Sequence, residues 1–456
     1  MAKIKSGFHA IRKGKKRLQL SPTRIIALVF LGIILTGTAL LMLPISSTGA
    51  PASFTDALFT ATSATCVTGL VVGDTGTIWT GFGQAVIIIM IEIGGLGFMS
   101  AASVMLLLFR KKVGLRQRMI MAQALSLDDM ESVVRIQKLV IGGSLAIQSL
   151  GALVLTLRFW PEFGLGTALK WGLFHSISAF CNAGFDIFGY NDSVMHFQSD
   201  PIVLVTLMSL IVIGGLGFFV WEELIRVKNP KRLSVYTKLV LLATGSLILV
   251  GAALNLLLEW NNPNTLGPMS WADKLLNSFF QSITLRTAGF AGLDQSQLTD
   301  GSKALAVVMM LIGGSSGSTA GGIKTVTITV LLLFLWSRIR GRGGVNVFYR
   351  RIPRAKVLDA MTIIAIVVGL CMAGALLICA TCPVSFTDSI FETASALGTA
   401  GLTAGATPLL NLPAKLMIIA FMYFGRVGVL TLSMGFLLGD QATQRYQYAE
   451  TNLLIG

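Results

Sequence analysis

The stretch FTDSIFETASALGTAGL, Phe386–Leu402, decides how the rest of the chain is read. It reads as a short helix, opened by Phe-Thr-Asp and closed by a thin extended turn that ends in glycine. The same arrangement stands near the start of the chain as FTDALFTATSATCVTGL, Phe54–Leu70. Two worn copies lie between them, FHSISAFCNAGF at Phe174–Phe185 and FFQSITLRTAGF at Phe279–Phe290. In all four, a Phe is followed ten residues later by a glycine and then a large apolar residue. The glycines are Gly69, Gly184, Gly289 and Gly401. Internal repeats set an architecture before any single element does. Four copies of a helix–turn–glycine unit imply four walls around one central hole.

The surrounding chain is apolar: 54% of its 456 residues are hydrophobic, 12% are charged, and the mean hydropathy is +0.75. Soluble domains carry about 25% charge. Several apolar runs exceed the ~20 residues that cross a bilayer. They are continuous rather than alternating, which selects helices over a barrel. The chain is therefore expected to be an all-α polytopic membrane protein.

A net charge of +15 could point to nucleic acid, but its placement excludes that partner. Most of the 36 Lys and Arg fall in residues 1–24, 110–138, 226–238 and 324–356 and at Arg445, between apolar pairs. Positive loops stay on the cytoplasmic side, so both termini are expected there. The opposite loops carry Asp56, Asp74, Glu162, Asp186, Asp192, Asp200, Asp273, Asp294, Asp300 and Asp388. An acidic outer face raises local cation concentration, although ordinary topology bias gives the same pattern. The five cysteines, Cys66, Cys181, Cys371, Cys379 and Cys382, show no metal spacing; the Cys379–Cys382 pair has no His nearby. The basic first residues are not a cleaved leader, because Arg24–Leu43 is a full span.

Taken in order, residues 1–23 form a basic arm on the inner leaflet. Repeat one, 24–118, holds spans Arg24–Leu43 and Thr80–Phe109 around the unit 54–70. Residues 119–232 hold a polar connecting helix, Met119–Val134, and repeat two, with spans Ile136–Leu157 and Pro201–Leu224 around 171–185. Repeat three, 233–342, has Lys238–Leu258, the unit 271–290 and an interrupted Ser302–Leu335. Repeat four, 343–438, has a basic loop, Val357–Ala380, the unit 386–402 and Pro413–Leu438; a polar tail, 439–456, follows. The returning helices keep register: Gly94-Gly95-Leu-Gly, Gly214-Gly215-Leu-Gly, Gly313-Gly314-Ser-Ser and Gly425-Arg426-Val-Gly stand 25, 30, 24 and 24 residues after the turn glycine. Eight spans and four half-helices in parallel repeats give pseudo-fourfold symmetry about the membrane normal.

A dehydrated cation needs oxygen ligands, which rings of backbone carbonyls supply when the chain runs extended along a pore. Glycine permits the required dihedrals. Such backbone is tolerated at membrane depth only where it lines a cavity or is buried in protein. Four filter strands follow. Thr65, Cys66, Val67, Thr68 and Gly69 form the first, and Phe180, Cys181, Asn182, Ala183 and Gly184 the second. Leu285, Arg286, Thr287, Ala288 and Gly289 form the third, and Leu397, Gly398, Thr399, Ala400 and Gly401 the fourth. A cation, potassium, is expected at Gly69, Gly184, Gly289 and Gly401. The negative ends of the short helices favour it. Asn182, Thr68, Thr287 and Thr399 are candidates for side-chain contacts around the filter, and Arg286 is expected to point away from the pore and brace it.

The third returning helix is broken by Gly313, Gly314, Ser315, Ser316, Gly317, Ser318, Thr319, Ala320, Gly321 and Gly322. Each glycine costs a helix about 1 kcal/mol relative to alanine. Lying below the filter, this segment would act as a movable gate; a static kink is the alternative. Its likeness to a phosphate loop fails, because Ile323 splits the required Gly-Lys pair and no strand precedes it. Arg426, half-way along an apolar helix, costs roughly 2.5–3.5 kcal/mol to insert and is expected beside the gate. An arginine that only ties two helices is the alternative. Glu92 has no partner that the sequence identifies.

These residues carry a resemblance over nearly the whole chain to the Trk/Ktr/HKT superfamily of potassium and sodium uptake proteins, and within it to the membrane subunits of bacterial Ktr systems. The four filter glycines, the SSGSTAGGIK break and the arginine of the last helix are the matching motifs. The resemblance implies potassium uptake across the bacterial inner membrane, gated by the intramembrane loop. Sodium would be either cotransported or activating. It also implies a homodimer and a KtrA-type cytoplasmic ring that binds ATP and ADP. A glycine at the first filter position accompanies potassium selectivity in this family and serine accompanies sodium permeation; Gly69 fits the first class. Unlike the TVGYG of potassium channels, no repeat has a second filter glycine and tyrosine, so a sodium-permeable or poorly selective cation transporter is the second reading. A membrane enzyme is disfavoured, since His9, His175 and His196 form no cluster with acids. An organic-solute carrier is disfavoured by four equivalent turns.

Overall fold

A computed structural model describes residues 22–97, 132–190 and 192–428. The basic arm, most of the connecting helix and the polar tail lie outside the described residues. Repeat one runs α1 (Pro22–Leu41), α2 (Phe54–Thr65) and α3 (Gly81–Leu96). Repeat two runs α4 (Ser132–Phe180), α5 (Pro201–Leu216) and α6 (Phe218–Arg226). Repeat three runs α7 (Val235–Glu259), α8 (Trp271–Thr284), α9 (Asp300–Leu311) and α10 (Thr325–Ile339). Repeat four runs α11 (Arg354–Thr381), α12 (Phe386–Gly398) and α13 (Leu412–Val427). A two-residue hairpin, Asn346–Val347 with Arg350–Arg351, lies between repeats three and four.

Among the described residues, α1, α4, α7 and α11 are long and apolar enough to cross a membrane. Leu28, Leu31 and Leu35 on α1, and Leu150, Leu153 and Leu157 on α4, are exposed. Spacings of three and four residues put each set on one stripe, the lipid-facing side of a spanning helix. The short helices invert this pattern. Thr60, Thr62 and Ser63 on α2, Gln281 and Ser282 on α8, and Ser389, Glu392 and Thr393 on α12 are all buried. These polar helices are shielded from lipid by the apolar ones around them.

Three of the four short helices begin on the same device. Ser53, Ser270 and Ser385 cap them, accepting from the backbone N–H of Asp56 at 3.2 Å, Asp273 at 3.2 Å and Asp388 at 3.1 Å. Each serine hydroxyl also donates to that aspartate, a capping box closed by a carboxylate. Repeat two has no such Ser-x-x-Asp. There α4 consists of a long and a short helix divided only at Gly164, whose φ 76° and ψ 158° are not helical. The expected gap between Leu157 and residue 171 is therefore narrowed to a single break at Gly164.

The returning helices differ from the expected continuous spans Thr80–Phe109, Pro201–Leu224 and Pro413–Leu438, of which 98–109 and 429–438 lie outside the described residues. α3 ends at Leu96 with Gly97 at φ 83°, and α13 ends at Val427 with Gly428 at φ 94°. α5 ends at Leu216, and α6 leaves at 91° beyond Gly217 (φ 93°). Positive φ at these glycines stops a right-handed helix. Apolarity alone does not distinguish a straight span from a bent one. Among the described residues, every returning helix is thus stopped part-way, and in repeat three a loop follows the stop.

Candidate functional site

Each short helix ends in the same backbone turn. Val67, Asn182, Thr287 and Thr399 lie in the left-handed region at φ 56°, 60°, 65° and 51°. Two residues later Gly69, Gly184, Gly289 and Gly401 have φ 94°, 68°, 85° and 83°. Left-handed backbone costs a non-glycine residue roughly 1–2 kcal/mol, and three of these four are β-branched. The next N–H in each turn reaches back to the helix: Thr68 to Ser63 at 2.8 Å, Ala183 to Ser178 at 2.8 Å, Ala288 to Thr284 at 2.9 Å and Ala400 to Ser395 at 2.7 Å. This is a Schellman-type end whose left-handed position is not glycine. Strain repeated four times needs a surrounding structure that holds it.

The four glycines meet. A Cβ on Gly184 would lie 2.6 Å from the Gly289 Cα, and one on Gly289 would lie 3.4 Å from the Gly401 Cα. One on Gly401 would lie 2.9 Å from the Gly69 Cα, and one on Gly69 would lie 3.3 Å from the Gly184 Cα. The turns therefore close a ring in chain order. The carbonyls of Thr68, Ala183, Ala288 and Ala400 face the neighbouring glycines, where a Cβ would collide with them. The extended part is shorter than expected, because Thr65, Phe180, Leu397 and Gly398 still belong to helices. Gly94, Gly214 and Gly425 press against the carbonyls of Thr65, Phe180 and Leu397, so the returning helices touch the backbone of the turns.

Beneath the ring, residues 312–324 form a closed loop. Its ends pair, with Gly313 N–H to Ile323 O at 2.8 Å and Ile323 N–H to Leu311 O at 3.2 Å. The Thr319 hydroxyl donates to Phe180 O at 3.1 Å and approaches Asn182 Oδ1 at 3.2 Å. Gly321 and Gly322 lie against Thr399 and Gly398. Ser315 N–H bonds Gly215 O at 3.1 Å, Phe218 N–H bonds Gly317 O at 2.9 Å, and the Ser318 hydroxyl turns back onto Ser315 O at 2.7 Å. Lys324 Nζ donates to Ala320 O at 2.8 Å. Arg426 donates to Thr319 O and to Gly94 O and Gly95 O, the last at 3.0 Å. One guanidinium thus joins repeat four to the loop and to repeat one.

Arg286 leaves the ring and turns between repeats two and three, into a small cavity lined by Asn182, Ile211, Val212, Gly215 and Gly314. Its Nε has no hydrogen-bond partner, so the expected bracing of the filter is not made through that atom. The Oγ1 atoms of Thr65, Thr68, Thr287 and Thr399 are likewise buried without a protein partner. Glu92 accepts from Gln148 Nε2 at 3.0 Å and from the Cys181 thiol at 3.3 Å, which supplies the partner that the sequence left unnamed. Above the ring, Asp186 stands with Asp74 and Asp192. Enclosure and those two carboxylates raise its carboxyl to about 7.

A family model described as TrkH, cation transport protein, matches residues 12–443. The chain belongs to the TrkH cation transport protein family. The Ktr system potassium uptake protein B of Bacillus subtilis is 39% identical over 95% of this chain and 97% of that one. The potassium/sodium uptake protein NtpJ of Enterococcus hirae is 38% identical over 98% of this chain and all of the other. The crystal structure of the potassium transporter TrkH from Vibrio parahaemolyticus superposes with a TM-score of 0.71 at 20% identity, covering 93% of this chain and 86% of that one. This TrkH-family chain is a multi-pass membrane protein of four helix–turn–helix repeats around a central pore.

Two buried residues of this TrkH-family fold were missed in the sequence. Glu392 accepts from the Thr403 and Thr407 hydroxyls, the latter at 2.8 Å, and from Ala404 N–H at 3.2 Å. His175 Nε2 accepts from Ile187 N–H at 3.3 Å. Both stand nine residues before their turn glycine, and each holds the N–H three residues after it. Aligning the repeats on their glycines would have brought the two together.

Proposed function

We propose that this chain takes up potassium through the ring of glycine turns, as the ion-translocating subunit of a Ktr-type system. The observation that carries the reading is the closed ring of four left-handed turns. Backbone whose φ alternates in sign can direct neighbouring peptide groups to one side, a known way of building ion-binding concavities. Thr65, Thr68, Thr287 and Thr399 add hydroxyl oxygens that have no other partner. The loop 313–322 is the gate and Arg426 is its electrostatic fastening. Positive charge below the filter opposes a permeating cation, and the loop fills the path beneath the ring. Orientation follows the basic loops, with both termini cytoplasmic in a bacterial inner membrane.

The Ktr relative is named for a system, which supports a separate regulatory partner. The partner proposed is a KtrA-type ring that binds ATP and ADP, acting on a homodimer of this chain. A second reading, permeation by sodium as well, is favoured by the potassium/sodium name of the Enterococcus hirae relative and by the lack of a second filter glycine. Radioactive rubidium uptake into proteoliposomes tests the proposal. Saturable uptake in which potassium competes better than sodium is expected. Equal competition selects the second reading, and no uptake by a folded protein overturns both. Deleting Gly314–Gly322 is expected to raise flux without a partner; unchanged flux removes the gate.

A further inference from the structure

We propose that the tip of the loop is latched by one continuous piece that joins repeat two to repeat three, Gly215–Tyr236, with Tyr236 as the positioning residue. This inference rests on the reading of 313–322 as a gate. The loop closes on itself at its base, so its tip, Ser315–Gly317, is the part free to be held from outside. Three backbone groups of the tip make bonds outside the loop. Ser315 N–H goes to Gly215 O at 3.1 Å, Gly317 O accepts from Phe218 N–H at 2.9 Å, and Ser316 O accepts from the Tyr236 hydroxyl at 2.9 Å. All three partners belong to the bent pair α5–α6 or to the first turn of α7. Gly317, at φ 70°, also lies against the Phe219 ring, where a Cβ would come 2.6 Å from the Cε2 atom.

The piece is braced internally. The Glu223 carboxylate on α6 accepts from Ser234 N–H at 2.6 Å, from the Ser234 hydroxyl at 2.7 Å and from the Thr237 hydroxyl. Lys238 Nζ ties the same turn to Lys231 O at 2.8 Å. α6 and the start of α7 therefore move together. Between them runs the exposed connection 227–234, where Lys228, Lys231 and Arg232 join Arg226 as a basic tip. A push on that connection reaches Ser316 and Gly317 through the two hydrogen bonds at Phe218 and Tyr236. Arg426 fastens the loop independently, at Thr319 and from the opposite side of the pore. The turn of repeat two also holds Thr319, through Phe180 O at 3.1 Å; of these fastenings, the Gly215–Tyr236 latch is the one that leads directly to an exposed connection among the described residues.

The test measures rubidium flux into proteoliposomes for the full chain, Tyr236→Phe, Gly317→Ala and the Gly314–Gly322 deletion. Tyr236→Phe removes one hydrogen bond and little else, so basal flux is expected to rise about 2- to 10-fold, the factor that one such bond allows. Gly317→Ala wedges the tip from Phe219 and is expected to raise flux in the same direction. The potassium-to-sodium ratio should stay at the wild-type value, because the ring is untouched. A merely destabilising change would lower flux instead. If the deletion raises flux while both point variants stay at wild type, the latch is overturned and the gate stands. If the deletion itself changes nothing, the gate reading falls and the latch with it.

Discussion

At the level of the glycines the four repeats present one backbone: a left-handed residue, an intervening residue and a glycine of positive φ, closing in chain order. Just below, the same four repeats part company. Repeats one, two and four stop their returning helices at Gly97, Gly217 and Gly428. Repeat three opens a loop that spreads under the ring, and repeat four places Arg426 against it. Under the proposed function, the difference follows from what each level would have to do. An ion stripped of water is coordinated from all sides, so every repeat must offer the same groups. A plug needs to close from only one side, and its fastenings need no symmetry. Mutations in the two levels should therefore differ in sign.

The largest effect is expected in the ring. Gly401→Ala puts a Cβ onto Thr68 O at a residue of φ 83°. Strain of 1–2 kcal/mol before any clash predicts that rubidium uptake falls at least ~10-fold; near-normal uptake would break the comparison. In the lower level the sign reverses. Arg426→Gln removes a charged donor from Thr319 O and from repeat one, and basal flux is expected to rise by about an order of magnitude. A loss of flux in a folded variant would make Arg426 a structural tie.

A smaller change sharpens the ring's role. Gly69→Ser adds a hydroxymethyl group at a residue of φ 94°, where a Cβ would come 2.4 Å from Ala183 O; uptake is expected to fall as in Gly401→Ala, and the sodium-to-potassium ratio of what remains to rise by a few-fold. An unchanged ratio, read by competition against rubidium, would count against coordination at that turn. Next comes the support of the ring. Ser385→Ala removes a cap that repeat two never had, and is expected to cost about 0.5–2 kcal/mol in thermal unfolding with selectivity unchanged. The smallest effect lies at the mouth. Asp186 is neutral below about pH 7 and charged above it. Uptake at limiting potassium should therefore rise about twofold as pH increases through that value, as one charge acting through water allows. Asp186→Asn should flatten the rise.

Much of the ring was legible from residues alone because glycine is the signature of the backbone it permits. The four Phe-to-Gly spacings located the turns, and the Phe-Thr-Asp openings marked the starts of two of the short helices. The same logic failed at Val67, Asn182, Thr287 and Thr399. Their left-handed backbone is imposed by the helix end and the neighbouring strands, against the preference of their own side chains. It failed also along Pro201–Leu224, which bends by 91° at Gly217, because hydropathy reads length and says nothing of direction. Glu92 could not be paired, because Gln148 and Cys181 lie far along the chain and neither carries a charge.

Composition and repetition by themselves determined that this chain lives in a membrane and that its backbone is written four times around an axis. Both are local properties: apolar length is set by bilayer thickness, and a glycine turn by the dihedrals one residue can adopt. The tertiary structure alone decided the order in which the turns close, the glycines at which the returning helices stop, and the grip of Arg426 and Tyr236 on the loop. Those features depend on backbone carbonyls, which every residue carries and no sequence distinguishes, so they became visible only once distant segments were brought together.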